Sequence, residues 1–183
     1  MGQPPQSFYD PLSSGQSEVW DVALACRNGH LINDRSRGDP ARNVPWCSTC
    51  GSETISACPG CREPIPGFYY DKRESFVGSE PPSGRALSQV PQYCHACGRP
   101  FPWTERAMSA ARSLIRELAG LDPYERDQLR RSIDDIIRET PRTPVAVLRI
   151  QAALTRIGGD TARALRDLLI SVASEAVKRQ LAE

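Results

Sequence analysis

The chain has 183 residues, a length that fits one or two domains. Hydrophobic residues make up 39% and charged residues 25%, and no run of about 18 apolar residues exists, which excludes a membrane-spanning helix. The formal charge is +1; seven thiolates on two divalent ions would bring it to −2, so composition supplies no general attraction to nucleic acid.

Residues 1–17 are rich in Pro, Gln, Ser and Gly and are predicted to form a flexible tail. The start lacks both the basic and the apolar regions of a secretory signal, so a reducing, cytoplasmic setting is expected. Seven cysteines in that setting read as metal ligands before disulfides.

Composition changes near residue 103. Thirteen of the 16 prolines, ten of the 13 glycines and all seven cysteines precede residue 104. The 78 residues from Cys26 to Trp103 hold 8 Leu, Ile, Val or Met, whereas the 80 residues from Thr104 to Glu183 hold 22. The second stretch can build an ordinary apolar core. The first needs staples. The expected fold class is therefore α+β: a double zinc-ribbon module of small β-hairpins over 18–103, then a four-helix, all-α bundle over 104–183.

The staples are four ligand pairs: Cys26 with His30, Cys47 with Cys50, Cys58 with Cys61, and Cys94 with Cys97. Two residues three or four positions apart reach one ion from a tight turn, and eight sulfur or imidazole donors fill two tetrahedral zinc sites. Turn glycines accompany every pair: Gly29, Gly51, Gly60 and Gly98. Loop lengths favour pairing in series, with Cys26, His30, Cys47 and Cys50 on one ion and Cys58, Cys61, Cys94 and Cys97 on the other. A hairpin should fill 31–46 between the first two pairs. Cross-braced and nested pairings remain open from spacing alone. His95 lies between two ligands and should point away from the metal. Trp46, Tyr93, Phe101 and Trp103 flank the pairs, where they could shield a small metal core or stack on bases.

In the long insertion, Phe68 and Tyr70 should share one face of a strand with Tyr69 opposite. Residues 71–90 are polar and read as a mobile or binding loop.

Four helices are predicted after residue 103. Thr104 can cap the first, whose apolar positions are Ala107, Met108, Ala111, Leu114, Ile115 and Leu118 and which stops at Gly120. Asp122, Pro123 and Glu125 form a start signal for the second, which buries Leu129, Ile133, Ile136 and Ile137 and ends at Pro141. Thr143-Pro144 starts the third, with Val147, Ile150, Leu154 and Ile157 on one face; Gly158-Gly159 terminates it. Asp160 should cap the fourth, striped by Leu165, Leu168, Leu169, Val172 and Ala176 and broadened by Ile170, Ala173 and Val177. That broad face fits a bundle core or a partner surface.

The run from Tyr93 to Glu105, Tyr-Cys-His-Ala-Cys-Gly-Arg-Pro-Phe-Pro-Trp-Thr-Glu, resembles the bacterial family called domain of unknown function 2321. So do Ala25 to His30, the Cys47 to Cys61 segment, Asp134 to Ile137 and Thr140 to Pro144. The resemblance covers roughly residues 20–180. It implies a bacterial, intracellular protein with paired cysteine knuckles and a helical tail, and it implies no activity, substrate or partner. The Phe101 to Thr104 link suggests that the ribbon half docks directly on the first helix.

Enzymatic function has little support. Eight ligands for two ions leave no open coordination position. No HExxH, GxSxG or phosphate-binding GxxxxGK[ST] is present, and Ile32 stands where a deaminase would need Glu. Nucleic-acid binding is the main rival. Residues 1–103 hold 9 basic and 10 acidic side chains and the remainder 14 and 12, so neither half is basic in composition. The expectation is a non-catalytic module with two structural zinc ions per chain that contacts a protein partner or itself, with no small-molecule substrate and no membrane association.

Overall fold

The computed structural model describes residues 18–71, 84–118 and 120–182. The tail over 1–17 and most of the polar loop over 71–90 lie outside them. The chain divides between Trp103 and Thr104 into two compact units.

The first unit carries two three-stranded antiparallel sheets, ordered β1–β5–β6 and β3–β2–β4. Their strands are β1 (Glu18–Val22), β2 (Leu24–Cys26), β3 (Leu31–Asn33), β4 (Thr54–Ile55), β5 (Pro66–Asp71) and β6 (Gly84–Arg85). Strand β5 alternates as its sequence predicts. Phe68 is buried and stacks with Tyr70 at 6.2 Å, while Tyr69 packs on Trp20 of β1 at 4.7 Å. The guanidinium of Arg35 covers the Phe68 ring at 3.6 Å.

The core of this unit is small: Ala23, Ala25, Cys58, Ile65, Val90, Cys94, Phe101 and Trp103, with Leu31, Ile55 and Leu87 packed against it. Two of its members are cysteines, so packing and ligand placement are the same problem here. Phe101 and Trp103 stack at 4.7 Å, and the Trp103 indole donates to the Pro91 carbonyl at 2.9 Å. Both rings shield the core. Trp46 does the opposite and is 62% exposed.

The hairpin expected over 31–46 is only the short β3, followed by a loop with a 3-10 turn at Pro40–Arg42. Buried Asn33 organises that loop. Its amide donates to the Asp39 carbonyl at 2.8 Å and to Asn43 Oδ1 at 2.9 Å, and its carbonyl accepts from Arg35 N–H at 3.0 Å. A fully satisfied polar side chain here replaces the ladder a hairpin would have supplied.

The second unit is helical: α1 (Pro102–Glu117, beginning just before the boundary), α2 (Pro123–Arg138), α3 (Thr143–Ile157), α4 (Gly159–Val172) and α5 (Glu175–Ala182). Helix α1 starts at Pro102, where proline's missing N–H is tolerated, so Thr104 is a buried helical residue and not the cap. Helix α2 has the capping box its sequence announces. Asp122 Oδ1 accepts from Glu125 N–H at 2.8 Å, and Glu125 Oε2 accepts from Asp122 N–H at 3.1 Å. Leu129, Ile133, Ile136 and Ile137 of α2 are buried, as are Val147, Ile150 and Leu154 of α3.

The predicted fourth helix departs from expectation at both ends. Gly158, at φ 62°, is its cap, so Asp160 falls in the first turn and pairs with Arg163 at 2.9 Å. At Ala173 the backbone turns extended, φ −78° and ψ 158°, and the helix breaks. Ser174 then restarts it, its hydroxyl accepting from Val177 N–H at 3.4 Å. The break changes which residues face inward. Leu165, Leu169, Ala173, Val177 and Leu181 are buried, while Ala176, expected on the stripe, is exposed.

Candidate metal centres

Three Cys-x2-Cys segments fold into one repeated knuckle. Cys47, Cys58 and Cys94 each donate their N–H five residues ahead, to the carbonyls of Ser52, Glu63 and Arg99 at 2.8–2.9 Å. Each in turn accepts at its own carbonyl from the residue after the second cysteine, Gly51, Arg62 and Gly98, at 2.8 Å. That residue is left-handed in all three, with φ 68°, 67° and 68°. Glycine takes this conformation without penalty; Arg62 does not. Gly60, expected to supply the turn in the Cys58 knuckle, has no positive φ. It provides room: a Cβ there would press on the Arg99 side chain at 2.9 Å.

The first pair is built differently, at the end of β2. Cys26 donates to the His30 carbonyl at 3.0 Å, and Gly29, at φ 88°, donates to the Cys26 carbonyl at 2.8 Å. Trp103 packs so closely on Gly29 that a Cβ would lie 2.9 Å from its own Cβ.

These turns bring the eight donors into two clusters: Cys26, His30, Cys47 and Cys50, and Cys58, Cys61, Cys94 and Cys97. Within each, the donor atoms all lie within 4.8 Å of one another. This is the serial grouping, with neither cross-brace nor nesting. Cys26 and Cys50 sulfurs are 3.7 Å apart, Cys58 and Cys97 3.8 Å, and Cys61 and Cys94 3.6 Å. His30 Nδ1 is 3.5 Å from the sulfurs of both Cys26 and Cys47.

Those separations are diagnostic. A disulfide would draw two sulfurs to about 2.05 Å. Tetrahedral corners around one ion, at about 2.3 Å to sulfur and about 2.05 Å to nitrogen, lie about 3.8 Å apart for two sulfurs and about 3.6 Å for sulfur and nitrogen. The five separations above fit the second spacing, and each cluster could hold a metal ion. One cysteine of each knuckle is buried and its partner donor exposed, so both clusters face solvent on one side.

Hydrogen bonds onto sulfur complete each set. Asn28 Nδ2 donates to Cys50 at 3.4 Å, His30 N–H to Cys26 at 3.3 Å, and Gly60 N–H to Cys58 at 3.4 Å. Such donors spread thiolate charge and fix ligand orientation. Asn28 carries no signal in the ligand spacing, so the sequence pattern passed over it. His95 joins neither set; its Nε2 lies 3.6 Å from Glu63 Oε1, so it faces a side chain of the opposite knuckle.

The local electrostatics divide the thiols. Burial pushes Cys26 and Cys94 up. At Cys47 burial acts the same way, but backbone N–H groups of Cys50 and Thr49 and the His30 ring overcome it, leaving the thiol at about 6. Cys97 is lowered to about 7, chiefly by the backbone of Arg99 against the effect of burial. Cys61 receives a lowering backbone bond from Glu63, yet burial and the crowd of Cys97, Cys94 and Cys58 raise it to about 12. His30 is raised by its bonds to Cys47 and Cys50. Four thiols packed this closely cannot all ionise without a cation between them, as a metal-binding cluster requires.

The chain matches the family model described as an uncharacterised protein conserved in bacteria (DUF2321) over residues 19–181. It belongs to that family. The matched segment takes in both donor clusters and all five helices but for the last residue of α5. Neither the curated proteins nor the solved structures contain a match. Among the described residues no helix is long and apolar enough to cross a membrane.

Proposed function

We propose that this DUF2321 chain is a non-catalytic protein-interaction module in which two structural zinc ions hold the first unit together. The observation that carries this reading is the spacing of the donors, which matches tetrahedral zinc in both clusters. The chemistry of the sets agrees. Three thiolates with an imidazole, and four thiolates, are soft ligands that suit zinc and disfavour calcium or magnesium. All four positions of each ion are taken by protein, which supports a structural over a catalytic role.

Exposed apolar side chains beside the first cluster support protein contact. Trp46 immediately precedes Cys47, and Val44 lies two residues further back, with 62% and 42% of their surfaces open. Large aromatics of this kind anchor protein interfaces. The even balance of 9 basic and 10 acidic residues over 1–103 argues against a phosphate-binding face.

Metal analysis of protein purified without chelator tests the reading: two zinc ions per chain are expected, and a value near one, or iron in place of zinc, would overturn it. Affinity capture from a bacterium that carries the protein, with and without nuclease, tests the partner class. Partners that survive nuclease support protein contact, and partners lost with nuclease support nucleic acid instead.

A further inference from the structure

The second unit carries a groove that the zinc reading does not use. Helices α2 and α3 pack together, and Gln128 and Leu129 of one and Ala152 and Ala153 of the other line a shared space. The result is an open groove of about 340 Å³, with Tyr124 and Glu125 at its α2 end and Arg149 and Arg156 along its α3 wall. Its lining is mixed, with Leu129, Ala152 and Ala153 as the aliphatic part. Tyr124 is 72% exposed. Val145 lies on the stripe that continues through Arg149, Ala152 and Arg156 at helical spacings of four, three and four, and it is 49% exposed; Leu148, on the flank of that stripe, is 65% exposed. Three of the six large hydrophobics exposed among the described residues thus lie on or beside one groove.

The charges point to what fits there. Glu125, the one carboxylate of the lining, is already bound to Arg156 at 2.8 Å. Arg149 makes no ion pair among the described residues. An occupant therefore meets the aliphatic side chains of Leu129, Ala152 and Ala153 and an uncommitted guanidinium. From this geometry we infer that the α2–α3 groove receives an acidic amphipathic segment of a partner protein, a bulky apolar side chain entering over Leu129 and Ala153 and an adjacent Asp or Glu pairing with Arg149. A basic segment would set like charges against Arg149 and Arg156. A second copy of this face would bring the same two arginines and, as its one lining carboxylate, a Glu125 already bound to Arg156.

The test uses the full-length, metal-loaded chain and a random 16-residue peptide library displayed on phage. Peptides recovered should share a large apolar residue with Asp or Glu within one helical turn. A synthetic peptide of that consensus should lose at least tenfold in affinity to Arg149→Glu and to Ala152→Trp, which fills the groove. Arg166→Glu, on the exposed surface of α4, should leave affinity unchanged. Recovery of no consensus, a basic consensus, or equal binding by all variants overturns the inference. A concentration-dependent dimer in sedimentation that Ala152→Trp abolishes overturns it in favour of self-association. Zinc content and helical circular dichroism are measured on every variant, so failure of the groove with two ions in place leaves the zinc reading standing.

Discussion

Arg62 and Gly98 hold the same left-handed backbone position in the two knuckles of one donor set, at φ 67° and 68°. A side chain in that conformation costs about 1–2 kcal/mol, of which the greater freedom of glycine in the unfolded chain would return about 0.5–1 kcal/mol. Arg62→Gly should therefore stabilise the metal-loaded first unit by about 0.5–1 kcal/mol. Gly98→Ala should destabilise it by a similar amount, although a Cβ there meets nothing within 4 Å, because the strain is in the backbone. Denaturant midpoints of the loaded proteins report both. A less stable Arg62→Gly variant would show that the arginine side chain contributes more than its backbone strain costs.

Ligand substitutions should separate the two clusters. Cys26→Ser and Cys50→Ser each remove a sulfur from the first set, and their sulfurs lie 3.7 Å apart. Each variant should bind one zinc ion at saturating metal and keep the other site's absorption by X-ray spectroscopy at four sulfurs. A Cys26→Ser protein whose remaining ion has a mixed sulfur and nitrogen shell would contradict the serial assignment.

Chelation should unfold the two units unequally. The first unit's core holds few aliphatic side chains and counts Cys58 and Cys94 among its buried members. Structural zinc contributes about 10–16 kcal/mol in small zinc peptides, against a whole-domain stability of about 5–15 kcal/mol. Removing the metal should abolish hydrogen-exchange protection over 22–71 and 84–101 while helical circular dichroism largely persists. Protection retained around Cys58 and Cys94 after complete metal removal would mean that the fold does not depend on the ion.

Acid should empty the first site. Each thiol must lose its proton to bind the ion. Without metal, burial holds Cys26 up, whereas Cys47 is brought down to about 6 from 9.0. A lowered thiol value stabilises the folded site fully above 9.0, and that contribution is lost as the pH falls through about 6. His30 has the opposite sign: its raised value favours the imidazolium, present below 6.5 and lost as the pH rises, and an imidazolium cannot ligate. The raised values of Cys26 and His30 favour protons over metal in acid, whereas the lowered Cys47 value keeps that thiolate available until the pH nears about 6. A zinc indicator should report progressive release as the pH is lowered from 8 through about 6. Retention of both ions down to about pH 4, with every free thiol protonated, would contradict it.

Much of this architecture was legible because it depends on spacing. Three Cys-x2-Cys knuckles need a tight turn, and Gly51 and Gly98 announced two of them. The Asp122 capping box and the apolar face of α2 are local patterns that the packed unit keeps. What escaped depends on competition between neighbours. Ser174 is an ordinary helical residue by propensity, yet its hydroxyl caps a new helix and rotates Ala176 outward in favour of Val177. Gly60 looked like the turn residue of its knuckle, but Arg62 takes the left-handed position because that place is fixed relative to the second cysteine. Asn33 organises its loop through partners up to ten residues away, beyond the reach of any local pattern.

Ala25 lies beside Cys26 in the chain and in one buried cluster with Cys58 and Cys94. The two donor sets are therefore separate in their ligands and joined through their packing. Ordering β2 around the first ion also builds a wall of the pocket that holds the second pair of buried sulfurs. The entropy of arranging that wall is lost once, whichever ion arrives first, so the later ion binds a partly arranged site. If both sets hold structural zinc as proposed, loading should be cooperative: a chain given one equivalent should divide mainly into empty and doubly filled molecules, and native mass spectrometry that finds mainly singly filled chains would contradict this.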